Sequence, residues 1–200
     1  LRPQTTDSGL TRGFMRIVGG QFRGRRLQTP PGLATRPMAD RVREALFSIL
    51  GPEIQGRRVL DLFSGTGSLG LEALSRGAAE AVFVDKRPEA VAAIRRNIEA
   101  LGLGPDRARV VRADLTKGPG PLAGLGGFDL IFVDPPYDQG LIPGTLDLLT
   151  RQGLASEQAL LAAQHRDTEV PAETLAGWRL AEQRKYGQTV ISFYTLEKTP

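Results

Sequence analysis

Residues 59–70, Val59-Leu60-Asp61-Leu62-Phe63-Ser64-Gly65-Thr66-Gly67-Ser68-Leu69-Gly70, restrict this chain to a narrow set of folds. Residues 59–63 read as a buried strand, apolar on both sides of one acid. A glycine loop follows at once, and then Leu69, Leu71, Ala73 and Leu74 recur at helical spacing as far as Arg76-Gly77. Strand, glycine turn and helix in that order open a nucleotide-binding α/β sheet. Gly65 is expected to turn the chain sharply off the strand with a positive φ. Gly67 is expected to clear space for a ligand against the backbone, and Gly70 to bring the helix close to the strand. The spacing alone admits a dinucleotide, S-adenosylmethionine (SAM), or a tight turn with no ligand.

Asp61 favours SAM among these. A carboxylate just before the loop repels a pyrophosphate, whereas it suits a ligand carrying a sulfonium and an ammonium. Residues 81–85 read as the next strand, ending in Asp85, twenty residues after Gly65. A carboxylate there can accept from both ribose hydroxyls of either cofactor, with Lys86 beside it. Its other reading is the cap of a helix that Pro88-Glu89 begins. Residues 109–114 read as a third strand ending in Asp114, either an acceptor for an adenine amine or a loop acid.

Two hundred residues at 40% hydrophobic content suffice for one large domain, or a domain with a small appendage. No run of apolar residues is long enough to cross a membrane as a helix. The chain has no cysteine and one histidine, His165, which argues against a disulfide framework, a thiolate nucleophile and a zinc site, and points to the cytoplasm. His165, between Gln164 and Arg166 with no serine or cysteine partner, reads as a surface residue. Charge is unevenly spread. Residues 1–58 carry eleven arginines, no lysine and four acids, a net +7, while the remainder carries −3. Such a cationic end suits a phosphate-rich partner, because arginine pairs with phosphates bidentately and stacks on bases. A merely solvated basic face is the alternative.

In chain order, residues 1–14 read as a disordered leader, with Met15 a candidate start. Residues 15–27 read as a small hairpin turned at Gly19-Gly20, with Arg23, Arg25 and Arg26 in its second half. A helix is expected over 39–50, with Val42, Ala45, Leu46, Ile49 and Leu50 as its apolar face, carrying Arg41 and following Arg36. Helices are expected over 88–101 and 141–149, and strands over 128–133, 178–186 and 189–196. Residues 159–163 admit a strand or the tail of a helix. The organisation expected is a leader (1–14), a basic extension (15–52) and an α/β domain (53–200).

The strand over 128–133 runs into Asp134-Pro135-Pro136-Tyr137. Two prolines remove two N–H donors and leave their carbonyls as acceptors. Asp134 adds a carboxylate and Tyr137 a flat ring. At the end of a sheet strand, that corner suits an exocyclic amine on a planar base and not a hydride acceptor. A rigid turn without chemistry is the alternative.

Several segments now form a pattern: Met15-Arg16-Ile17-Val18-Gly19-Gly20; Thr35-Arg36-Pro37 with residues 40–47; residues 61–78; Asp134-Pro135-Pro136-Tyr137; and Tyr186-Gly187-Gln188-Thr189. Together they resemble the RsmD-like family of guanine-N2 methyltransferases of small-subunit (16S) ribosomal RNA, over nearly all of residues 15–197. The resemblance implies a Rossmann-like SAM-dependent methyltransferase fold, with a seven-stranded sheet parallel except for one reversed strand. It implies SAM as cofactor, and ribosomal RNA or an assembling small subunit as substrate, for a monomer needing no metal. Asp134 and the carbonyl of Pro135 would accept from the target amine and Tyr137 would stack on the base. Asp61 would face the methionine end of SAM, Asp85 the ribose and Asp114 the adenine, around Gly65 and Gly67, with Lys86 and Asp134 also against the cofactor. Arg23, Arg25, Arg26, Arg36 and Arg41 would hold RNA phosphates, or Arg36 and Arg41 would organise the cofactor pocket. The family's strand near residues 159–165 usually ends in a glutamate where this chain reads Ala163-Gln164-His165, so no role is expected there.

Three other readings stay open on the residues alone. Asp134-Pro135-Pro136-Tyr137 suits an adenine N6 amine as well as a guanine N2. The glycine spacing fits an NAD-dependent dehydrogenase. The basic end fits a non-catalytic RNA-binding module.

Overall fold

The strand and helix of the glycine-loop unit are β1 (Arg58–Leu62) and α2 (Ser68–Ser75). The structure, a computed structural model, describes residues 15–30, 37–118, 120–169 and 172–197. The expected leader and Arg36 lie outside the described residues. The remaining strands are β2 (Glu80–Asp85), β3 (Ala108–Arg112), β4 (Phe128–Val133), β5 (Ala155–Arg166), β6 (Thr174–Leu175), β7 (Trp178–Tyr186) and β8 (Thr189–Leu196). They form one sheet in the order β3-β2-β1-β4-β5-β8-β7-β6. β1 to β5 run parallel, and β8 runs antiparallel between β5 and β7. The expected seven-stranded sheet is present with one addition, the two-residue edge strand β6, too short to show in a sequence pattern.

Helices α1 (Pro37–Leu50) and α3 (Pro88–Ala100), with α2, cover one face of the sheet, and α4 (Leu141–Arg151) covers the other. The buried central strands explain the near-continuous apolar runs of β1, β2 and β4. Gly70 does what its spacing suggests: a Cβ there would run into the ring of buried Phe83 on β2. Gly67 has a φ of 75° that needs a glycine, and a Cβ there would meet Ile94 and Phe83, so this residue serves the turn and the packing of α3.

Residues 15–27 close as a hairpin in which Arg16 pairs with Arg26 through the backbone bonds Ile17 N to Arg25 O (3.0 Å) and Leu27 N to Met15 O (2.8 Å), around a turn at 21–24, just past the expected Gly19-Gly20. Met15, Ile17 and Leu27 enter the same core as α1 and the sheet. Fully buried Glu72 on α2 fixes this segment by accepting from the Val18 amide (2.8 Å) and pairing with Arg76 (2.8 Å) and Arg43 (3.9 Å).

On α1 the buried stripe is Val42, Arg43, Leu46, Phe47 and Leu50. It is rotated from the expected face, and Ile49 is left 39% exposed. Arg43, Leu46, Phe47 and Leu50 are the i, i+3, i+4, i+7 set, so the helix carries an arginine inside its apolar stripe.

Candidate active site

Strand order reverses between β1 and β4, and at such a point the loops leaving the two strand ends part to form a crevice. A cavity of about 460 Å³ lies there, lined from the C-terminal ends of β1 to β5. Its size suits a cofactor-sized ligand.

The loop after β1 forms its floor. Phe63 turns off the strand at φ 59°, a rare conformation for a residue with a side chain, and lines the cavity. Ser64 donates from its hydroxyl to the carbonyl of Asp61 (2.5 Å) and accepts from the amide of Val84 (2.8 Å), tying the loop to β2. Gly65 has φ 57°, as the sharp turn requires, and donates its amide to Asp85 Oδ2 (2.9 Å).

The acids divide into two kinds. Asp61 is buried, and its Oδ2 accepts the amide of Gly70 (3.0 Å), one of the N–H groups left unpaired at the start of α2. Burial pushes its carboxyl well above the ordinary range despite that bond. It does not line the cavity, and here it caps the helix, a role its place in the sequence did not suggest. Asp85 does line the cavity; its Oδ1 accepts from the amide (2.9 Å) and Nε (3.5 Å) of Arg87, while its Oδ2 accepts from Gly65 and keeps a second lone pair for a ligand hydroxyl. Exposed Lys86 lies beside it at the rim. Asp114 lines the cavity and also caps a short 3₁₀ turn, accepting from the hydroxyl (2.7 Å) and amide (3.2 Å) of Thr116. The Thr116 hydroxyl, then its amide, hold that carboxyl below its ordinary value.

Asp134, Pro135 and Tyr137 stand together on the opposite wall. Burial raises the Asp134 carboxyl to about 7. Its Oδ1 accepts from Gln164 Nε2 (2.9 Å), and the same nitrogen donates to the Tyr137 hydroxyl (3.0 Å). The end of β5, expected to have no role, therefore joins the site. Parallel pairing sets Val133 against Ala163, which brings residue 164 beside residue 134. Arg166 lies 5.6 Å over the Tyr137 ring.

Arg43 is the other residue that the sequence pattern alone does not single out. It is 4% exposed, lines the cavity, and donates from Nη2 to Asp40 (3.0 Å) and to the carbonyl of Arg16 (2.5 Å). An arginine at the spacing of a buried stripe is the signal for it. Arg23, Arg25, Arg26 and Arg41 are exposed and do not line the cavity. Arg23 lies on the turn, which bonds to Ser75 at the end of α2, and Arg25, just past it, reaches the carbonyl of Ala100 at the end of α3 (2.5 Å). Arg41, one of the two arginines expected near the cofactor pocket, lies outside it; Arg43, two residues on, points in.

His165 is not at the surface. It is 1% exposed, with Nδ1 2.7 Å from the carbonyl of Arg166 and Nε2 2.7 Å from Ser192 Oγ. A carbonyl only accepts, so Nδ1 carries the proton and Nε2 takes the serine hydroxyl. Ser192 in turn accepts from Gln183 (2.9 Å). The β5–β8 ladder encloses this ring, which the polar neighbours in sequence do not reveal.

The donor set fits SAM. A carboxylate at the end of β2 whose Oδ2 can still accept suits ribose, and acids on several walls suit a cationic ligand better than a pyrophosphate. Among the described residues no group of His, Cys, Asp and Glu could hold a metal ion, and no helix is long and apolar enough to cross a membrane.

The sequence model of the family described as conserved hypothetical protein 95 matches residues 15–195. A putative rRNA methyltransferase, YlbH of Bacillus subtilis, is 36% identical over 182 residues, covering 90% of this chain and 98% of the relative. Ribosomal RNA small subunit methyltransferase D of Escherichia coli is 37% identical over 186 residues, covering 92% of this chain and 91% of the relative. The solved structure of the putative methyltransferase yhhF from Escherichia coli superimposes with a TM-score of 0.78 at 36% identity, over 94% of this chain and all of that one. The alignments span the glycine loop, the Asp134 corner and the basic N-terminal segment alike, so the chain belongs to this family, the RsmD-like SAM-dependent methyltransferases.

Proposed function

We propose that this protein methylates the exocyclic N2 amine of a guanine in small-subunit ribosomal RNA. Membership of a family of ribosomal RNA methyltransferases supports the substrate class. One observation carries the choice of an exocyclic amine: the Asp134 carboxylate and the Tyr137 ring stand on one cavity wall, tied through Gln164, facing the glycine loop.

Bound SAM supplies a methyl group activated by a positively charged sulfur. The protein's task is the amine. A guanine N2 lone pair is delocalised into its ring, so the amine is a weak nucleophile. Asp134 and the carbonyl of Pro135 accept its two N–H bonds, which aims the lone pair and stabilises the positive charge that grows on nitrogen. Tyr137 stacks on the base. The target must leave its own stack to enter, which costs least in a loop. Asp85 holds the ribose of the cofactor, Asp114 its adenine end, and Gly65 the close approach between them. Arg23, Arg25, Arg26, Arg36 and Arg41 contact RNA phosphates.

The test is transfer of labelled methyl from SAM to small-subunit ribosomal RNA, offered naked and as particles from cells lacking the protein, with the product nucleoside identified by mass. N2-methylguanosine is expected. N6-methyladenosine would overturn the base and keep the fold and wall. Asp134→Ala should abolish turnover with SAM affinity unchanged; equal turnover would remove Asp134 from the reaction.

A further inference from the structure

We propose that Gln164 is a positioning residue for methyl transfer, which holds the Asp134 carboxylate and the Tyr137 ring as one rigid unit; this rests on the reading of those two residues given above. Gln164 sits at the end of β5, beside Asp134 through the β4–β5 register. A carboxylate only accepts hydrogen bonds, so the amide nitrogen must face it. Nε2 has two hydrogens, and the geometry uses both: one to Asp134 Oδ1 at 2.9 Å, one to the Tyr137 oxygen at 3.0 Å.

A base entering the cavity meets a prepared wall. Oδ1 is occupied, and among the described residues nothing donates to Oδ2, so one oxygen is presented to the target amine. The Tyr137 oxygen accepts, so its ring cannot swing away without breaking the bond to Gln164. The Arg166 guanidinium lies over that ring and leaves the other face to stack. Gln164 is also neutral at every pH, so Asp134 releases its proton without sharing it with residue 164.

Other charged groups face the same space: Arg43 from α1, Asp85, Lys86 and Arg87 from the end of β2, Asp114 after β3, and Arg166 over Tyr137; Asp61, buried on β1 outside the cavity, acts on Asp134 through its charge. All are common to the variants below, so differences between variants report on position 164.

Methyl transfer to small-subunit ribosomal RNA is measured across acid, neutral and alkaline pH for wild type, Gln164→Leu, Gln164→Glu and Asp134→Ala, with SAM affinity measured by calorimetry. Gln164→Leu should lower kcat about 10- to 100-fold, the scale expected when a reacting group is misplaced by about an ångström, with SAM affinity unchanged. Gln164→Glu should recover much of that rate near neutrality, because a protonated glutamate still donates to Asp134. It should then lose rate again at alkaline pH, where the second proton leaves and two carboxylates repel. Wild type has no such titration at residue 164. Unchanged kcat in Gln164→Leu, a wild-type pH profile in Gln164→Glu, or loss of SAM binding in both would overturn the proposal. Full turnover in Asp134→Ala would instead overturn the reading of the site on which it depends.

Discussion

Burial lifts the Asp134 carboxyl from its ordinary value near 3.8 to about 7, and in the role proposed for it Oδ2 must be free of that proton to accept from the target amine. Turnover should therefore rise with pH through about 7. The stability consequence has the opposite sign. Between 3.8 and about 7 the folded state keeps a proton that the unfolded chain has released, so this group's contribution to stability falls as pH rises through that window. Asp134→Asn removes the burial of charge. At pH above that window it should raise stability, on the order of 1 kcal/mol once partial exposure is allowed for, while it removes turnover. Thermal melts of the two proteins should converge toward acid pH. A melting difference that stays constant with pH would show that Asp134 is not desolvated in the folded protein.

At the scale of the element, α2 shows packing overruling propensity. Alanine is a better helix former than glycine by about 1 kcal/mol. Gly70 nevertheless sits where a Cβ would strike the Phe83 ring, and both residues are buried between α2 and β2. Overpacking of that kind costs about 1–3 kcal/mol, so Gly70→Ala should destabilise the protein in denaturant titrations. Adding Phe83→Leu should restore part of the loss, and a neutral Gly70→Ala would mean the sheet yields to the helix. α1 shows how an element's sequence can mislead. Its apolar residues allow two neighbouring stripes, and the choice between them decides whether Ile49 or Arg43 is buried. Glu72 on α2 meets Arg43, and the cavity gives its stem a wall; neither is visible along the helix itself.

At the scale of the molecule, positive charge gathers on the N-terminal segment and α1, beside the cavity and not inside it, save for Arg43. On the proposed function, that arrangement would separate holding RNA from holding the cofactor. Replacing Arg23 and Arg41 by alanine should flatten the dependence of log RNA affinity on log salt by about 0.7–0.9 for each phosphate no longer neutralised, with SAM affinity unchanged. An unchanged slope would move the RNA track elsewhere, with exposed Arg95 and Arg96 on α3 the next residues to replace.

The order of strands and helices, the glycine loop, the Asp85 strand end and the Asp134-Pro135-Pro136-Tyr137 corner were legible in the sequence, because each depends on residues close together in the chain: a period of two or 3.6, a turn glycine, a proline pair. What the sequence left open depends on pairing between distant strands. β5 gains its place beside β4, and Gln164 its place beside Asp134, only through the parallel register. β8 encloses His165 only by lying antiparallel to β5. Asp61 caps α2 because the loop folds the helix start back over it, nine residues along. In each case the residue's chemistry was plain and its neighbours were not, since hydrogen-bond partners more than a turn apart are chosen by how the sheet assembles.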